Sequence, residues 1–155
     1  MSIFATTVFC DDVREEKGGK ISLIGCYGMD LRLIDPMPIA LPKLGIVISI
    51  YVPLSEIRPL TIILRVFMPG AVDPVVVATL NVNLPAHLEK LPTEVERLGI
   101  RHVVILSPAV LFEEGFVRVT YEIDGKTNTC GLLRVITAAN ESNDTNDSTI
   151  SAESP

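Results

Sequence analysis

Hydrophobic and polar positions alternate along much of this chain with a period of two. The clearest run is Lys43 to Val52: Leu44, Ile46, Ile48, Ile50 and Val52 fall on one side, Gly45, Val47, Ser49 and Tyr51 on the other. Successive side chains of a β-strand point to opposite faces, so this stretch predicts a strand with one apolar face. Leu60 to Met68 repeats the pattern, with Leu60, Ile62, Leu64, Val66 and Met68 inward. Val76, Ala78, Leu80, Val82 and Leu84 line one side of a further strand, and Asn81 and Asn83 make its other side wet. Ile100 to Leu106 reads as a strand too. In Phe116 to Ile123, Val117, Val119, Tyr121 and Ile123 alternate with Arg118, Thr120 and Glu122. The last strand runs from about Thr129 to Ile136.

The first thirty residues organise the rest. Two β-prone runs, Ile3 to Val13 and Lys20 to Tyr27, flank Arg14-Glu-Glu-Lys-Gly-Gly19, a charged bend with two glycines at its tip. This predicts an antiparallel hairpin against which later strands pair. Met29 to Ile34 either continues the second strand or forms a short one of its own. Asp35-Pro-Met-Pro38 interrupts it, because proline donates no ladder hydrogen bond and restricts the residue before it. Pro69-Gly70, Asp73-Pro74 and Asp124-Gly125 are turn signals, the last suited to a type I′ turn with positive φ at both central residues. Only Pro85 to Gly99 has helical spacing, with Leu88, Leu91, Val95 and Leu98 recurring at three or four. Pro92 divides it and Gly99 is a C-terminal stop signal, so one or two short helical turns are predicted near residues 86–98. About eight strands without βαβ alternation predict an all-β fold. The expected form is a single antiparallel two-layer β-sandwich, immunoglobulin-like or C2-like, over residues 1–137, with a closed barrel as the alternative.

Composition supports one packed domain. Hydrophobic residues make up 48% of the 155, charged residues 21%, enough to fill a core without disulfides or metals. The net charge of −6 is uneven: residues 138–155 hold Glu141, Asp144, Asp147 and Glu153 with no Lys or Arg, so the body sits near −2. That segment is rich in Ser, Asn, Asp and Thr and is expected to be a disordered acidic tail. With no basic stripe, binding to nucleic acid or to an anionic membrane surface is not expected. No cationic-then-apolar leader is seen, and no apolar run reaches the roughly 20 residues of a membrane helix. Three cysteines without a C-x-x-C fit a reducing compartment, and a cytoplasmic protein is expected.

Phe9-Cys-Asp-Asp-x-Arg14 followed by Gly18-Gly-Lys-x-Ser-Leu-Ile-Gly-x-Tyr27 resembles the opening of a family of small bacterial and phage-encoded proteins of unknown function. The likeness extends more loosely to the strand and turn from Gly115 to Gly125 and leaves out the tail. It implies an immunoglobulin-like or C2-like sandwich and carries no activity, cofactor or catalytic residue.

Each candidate for chemistry meets a structural alternative that explains it better. Gly18-Gly19-Lys20 with Ser22 faintly matches a phosphate loop, but Arg14 replaces the first glycine, Ile21 replaces the hydroxyl, and a strand follows where a helix belongs. Asp11, Asp12, Glu15, Glu16, Asp30 and Asp35 offer oxygens to calcium in the manner of C2 loops. Neighbouring strand residues face opposite ways, however, and a solvated strand end with Arg14 or Lys20 nearby is favoured. His87 and His102 lack a second ligand at metal spacing, and His102 alternates with Val104 and Leu106 as a partly buried imidazole would. Cys10, Cys26 and Cys130 fall within strands, where free cysteine acts as a small hydrophobe; a Cys130–His102 nucleophile pair has no local support. Asn140-Glu-Ser, Asn143-Asp-Thr and Asn146-Asp-Ser match the glycosylation pattern through tail composition alone.

No catalytic residue, metal site or cofactor is therefore assigned. The expected function is a non-catalytic interaction or structural module that binds a protein partner or forms a homo-oligomer. Its motivation is the apolar residues on second strand faces: Val47 and Tyr51, Ile63 and Phe67, Val75 and Val77. The alternative is a C2-like domain sensing calcium or a small ligand.

Overall fold

The structure, a computed structural model, describes residues 2–83 and 91–138. Strands β1 (Phe4–Glu16) and β2 (Lys20–Cys26) form the expected hairpin, with Gly18 and Gly19 at positive φ in its tip. The chain continues through β3 (Asp30–Leu33), β4 (Ile39–Leu41) and β5 (Leu44–Pro53), then a single 3₁₀ turn, Leu54–Glu56. There follow β6 (Leu60–Phe67), β7 (Val76–Val82), β8 (Arg97–Leu106), β9 (Ala109–Leu111), β10 (Gly115–Ile123) and β11 (Lys126–Thr137).

Among the described residues these strands make three open sheets, ordered β2-β1-β5-β8, β3-β11-β10-β6-β7 and β4-β9. The fold is all-β, as the alternation predicts. It differs from an antiparallel fold of about eight strands in having eleven among the described residues, with one parallel pair there, β3 with β11. The parallel pair arises because the chain leaves the first sheet after Cys26 and crosses to the second, where Asp30 to Leu33 runs beside Arg134 to Thr137. The strands β4 and β9 are three residues each, too short for an alternation to register.

The expectation of helical turns near 86–98 is overturned over residues 91–98. Residues 84–90, with His87, lie outside the described residues. The remainder bends once, Val95 N–H donating to Pro92 O at 3.0 Å, and Arg97, Leu98 and Gly99 then pair with Pro53, Val52 and Tyr51 in β8. Ladder bonding along the edge of β5 overrides a helical period carried by only four residues. Gly99 stops nothing; it lies in the strand opposite Tyr51.

The two larger sheets share one core. Leu44, Ile46, Ile48, Ile50 and Val52 of β5 are buried together with Ile62, Leu64 and Val66 of β6, Val117 and Val119 of β10, and Leu133 and Val135 of β11. Each such side chain contributes roughly 1.5–3 kcal/mol on leaving water. The sheets come closest where β1 meets β11: Thr7 Oγ1 donates to Cys130 Sγ at 3.5 Å, and Gly131 faces Thr7 with no room for a side chain. Asp124 (φ 52°) and Gly125 (φ 76°) make the tight β10–β11 turn, both residues in the left-handed region that a type I′ turn requires. No helix among the described residues is long and apolar enough to cross a membrane.

Candidate interaction surface

The outward face of the five-stranded sheet is built from the alternate residues of the strands that line the core. Their register aligns them in rows: Phe67, Arg118 and Leu132 in one, Val77, Arg65 and Thr120 in the next, Thr79, Ile63 and Glu122 in a third. The Arg118 guanidinium lies 4.6 Å from the centroid of the Phe67 ring, a cation–π placement that keeps the charge over an apolar residue. Arg65 Nη1 donates to Glu122 Oε2 at 2.7 Å, so the charges in the middle of this face are engaged with neighbours. Around them Phe116 (52% exposed), Leu132 (53%), Val75 (51%) and Val77 (58%) stand in solvent. Phe67, Phe116, Arg118 and Leu132 border a hollow of about 370 Å³ that runs towards Met68, Gly70 and Ala71.

Those last three residues also border a second hollow of about 480 Å³ at the end of the molecule, with Val75, Leu106, Pro108, Val110 and Phe112 on its other walls. Phe112 is 74% exposed. A third hollow, about 550 Å³, continues past Phe112 and Glu113 to Ile34, Met37 and Thr137, and Ile34 is almost fully exposed. The walls are fixed by short-range constraints. Ala71 N–H donates to Met68 O at 3.1 Å to close the Pro69-Gly70 turn. Gly70, at φ 71°, lies against the Glu113 side chain, where a Cβ would strike the carboxylate. The Glu114 carboxylate accepts from the Thr137 N–H at 2.6 Å and from the Thr137 hydroxyl, holding the loop before β10 to the end of β11. The result is a band of apolar side chains and shallow hollows running from the sheet face around one end. Its chemistry is that of a surface that loses water on contact.

The apolar residues read from the sequence divide in two. Val75 and Val77 are exposed and Ile63 and Phe67 half-buried, all on or beside this face. Val47 is buried in its own sheet between Val8 and Val103, and Tyr51 stacks on Phe4 with ring centroids 4.9 Å apart. Phe112, Val110, Ile34, Phe116 and Leu132 lie outside the set that the sequence pattern singles out. For Phe116 and Leu132 the signal was available, since both occupy the polar phase of their strands. Nothing local marks Phe112.

Four of the acidic residues considered for calcium have partners of their own. Asp11 accepts from the Tyr27 hydroxyl; Asp12 pairs with Lys43 Nζ at 3.1 Å and Arg14 Nε at 3.7 Å; Asp30 takes two bonds from Arg134, at 2.9 and 3.1 Å. The Lys43 hydrogen bond holds the Asp12 carboxyl below its ordinary pKa, and the Arg134 fork does the same for Asp30. Glu16 accepts from the Ser22 hydroxyl, and Asp35 lines the third hollow. Among the described residues, no three or more His, Cys, Asp or Glu are grouped to hold a metal ion. His102 lies opposite Ile48 on β8, whereas Cys130 bonds to Thr7 of β1 and to Val119 O. Burial raises the Cys130 thiol pKa, which works against a nucleophile there. Lys20 and Ser22 lie in the strand after the glycine turn, so no helix N-terminus is present to cradle a phosphate. No protein-family model matches this chain, and the curated proteins yield no match either.

Proposed function

We propose that this chain is a non-catalytic interaction module: an immunoglobulin-like or C2-like two-layer β-sandwich whose five-stranded sheet carries the recognition face. The observation that supports this most directly is the contiguity of Phe116, Leu132 and Val75 with the hollows that end at Phe112. Scattered exposed hydrophobics are ordinary on soluble proteins, but a continuous apolar band with engaged charges at its centre marks a partner surface. The occupant is a protein with a complementary apolar face, either a second copy of this chain or another chain.

The test is light scattering coupled to size-exclusion chromatography over a wide concentration range, together with capture from the native host. The wild-type chain is compared with Phe116→Ser/Leu132→Ser and with Phe112→Ser. Self-association or a captured partner that is lost in these variants, with thermal unfolding unchanged, is the expected result. Association that survives them unaltered places recognition elsewhere.

A further inference from the structure

The β1–β2 hairpin sets two cysteines opposite each other on neighbouring strands. Cys10 and Cys26 are directly opposite in register, and both are free. The backbone bond from Tyr27 N–H to Phe9 O, 2.9 Å, joins the residues just outside them. That makes Cys10–Cys26 a non-hydrogen-bonded pair, the position at which antiparallel strands bring Cα atoms to about 4.5 Å and side chains closest together. Opposed residues of an antiparallel pair also leave the same face of the sheet. A disulfide spans Cα separations from about 4.4 to 6.8 Å, so the backbone is already within its range.

The two thiols differ in setting. Cys26 is exposed, whereas Cys10 is fully buried, its thiol donating to Gly45 O at 3.7 Å. Gly45 provides the space: a Cβ there would lie 2.9 Å from Cys10 Sγ. Cys130, the remaining cysteine, is held by Thr7 and Val119 in the gap between the sheets.

We propose that Cys10 and Cys26 form a reversible cross-strand disulfide, a redox staple on the edge hairpin of the four-stranded sheet. The oxidant is a low-molecular-weight disulfide of the glutathione type. The Cys26 thiolate attacks one of its sulfurs, forming a mixed disulfide and releasing one thiolate. Cys10 then turns from Gly45, loses its proton and attacks Cys26 Sγ, expelling the second thiolate. Two protein thiols are oxidised to one disulfide, the small disulfide is reduced to two thiols, and the two protons pass from the protein to the leaving groups. Burial raises the Cys10 thiol pKa, so the second step is the slower one and the adduct on Cys26 forms first.

The full chain is equilibrated in buffers spanning reduced to oxidised glutathione, quenched with acid, alkylated, and examined by intact mass and peptide mapping. The expected product is a monomer lighter by two hydrogens, with Cys10 linked to Cys26, Cys130 alkylated, and the bridge removed by excess reduced glutathione. Cys130→Ser gives the same product, and Cys10→Ser stops at the glutathione adduct on Cys26. A wild-type chain that stays at the adduct under the most oxidising buffer, or that links Cys130 or a second chain instead, overturns the proposal.

Discussion

The closest approach of the two larger sheets makes a specific energetic prediction. Gly131 of β11 has an ordinary backbone conformation, yet a Cβ placed on it would lie 2.6 Å from Thr7 Cβ, 2.7 Å from Thr7 Oγ1 and 3.0 Å from Thr7 Cγ2. Carbon atoms in packed interiors sit about 3.5–4.0 Å apart, so Gly131→Ala must displace Thr7 or separate β1 from β11. Overpacking of this kind costs about 1–3 kcal/mol. Against it stands the loss of glycine freedom in the unfolded chain, which on a permissive backbone stabilises by about 0.4–1 kcal/mol. The clash wins, and Gly131→Ala is expected to destabilise by about 1–2 kcal/mol. Thr7→Ala gives no relief, because the closest atom is Thr7 Cβ itself. Thr7→Gly does. That change alone weakens β1 by about 1 kcal/mol through strand propensity, but in its background Gly131→Ala is expected to be neutral or stabilising. Urea unfolding of the four chains closes the double-mutant cycle. A Gly131→Ala penalty that persists unchanged beside Thr7→Gly would refute the packing of β1 on β11.

Further tests address single sites. Thr120 is buried, only 6% exposed, and its hydroxyl has no hydrogen-bond partner among the described residues; Thr120→Val, which keeps the shape and removes the unmet hydroxyl, is expected to raise stability by about 1 kcal/mol in urea melts. A loss of that size would show that the hydroxyl is satisfied. Gly70→Ala is expected to lower stability by about 1–2 kcal/mol for the left-handed backbone alone, and Glu113→Ala, which clears the side-chain collision, should not restore it. Asp12 and Asp30 have folded pKa values below the ordinary 3.8, so the stability they contribute is present above that pH and is lost as pH falls through their folded values. The urea midpoint should therefore drop as pH falls below about 4, and Asp30→Asn should flatten that drop while lowering the midpoint at pH 7.

What the sequence makes legible is what is local and repeats. Five alternating residues from Leu44 to Val52 pick out β5 and its buried face, and Asp124-Gly125 announces the turn between β10 and β11. The three-residue strands β4 and β9 and the parallel partner of β11 depend on which segments meet across the fold, and no periodicity carries that information. The same division applies to the candidate surface. Phe116 and Leu132 can be placed on an outer face strand by strand. That they share a face with Phe67 and Val77 follows only from the order β11-β10-β6-β7.

One irregularity decides which residues that surface shows. From the Asp124-Gly125 turn, β11 pairs with β10 in step as far as Thr129 opposite Thr120, but the next pair is Gly131 with Val119, leaving Cys130 as an extra residue. Side chains in a strand alternate, so one inserted residue reverses the phase of everything beyond it. Without it, Leu132 and Arg134 would share the inner face with Val117, and Leu133 and Val135 would point to solvent. With it, Leu133 and Val135 are fully buried and Leu132 is half-exposed beside Arg118. The bulge also turns Cys130 and Gly131 both towards Thr7, which a strand tolerates only if one of them lacks a side chain. Gly131 therefore relieves the crowding that the bulge creates, and the bulge brings Leu132 and Phe116 onto a single apolar face.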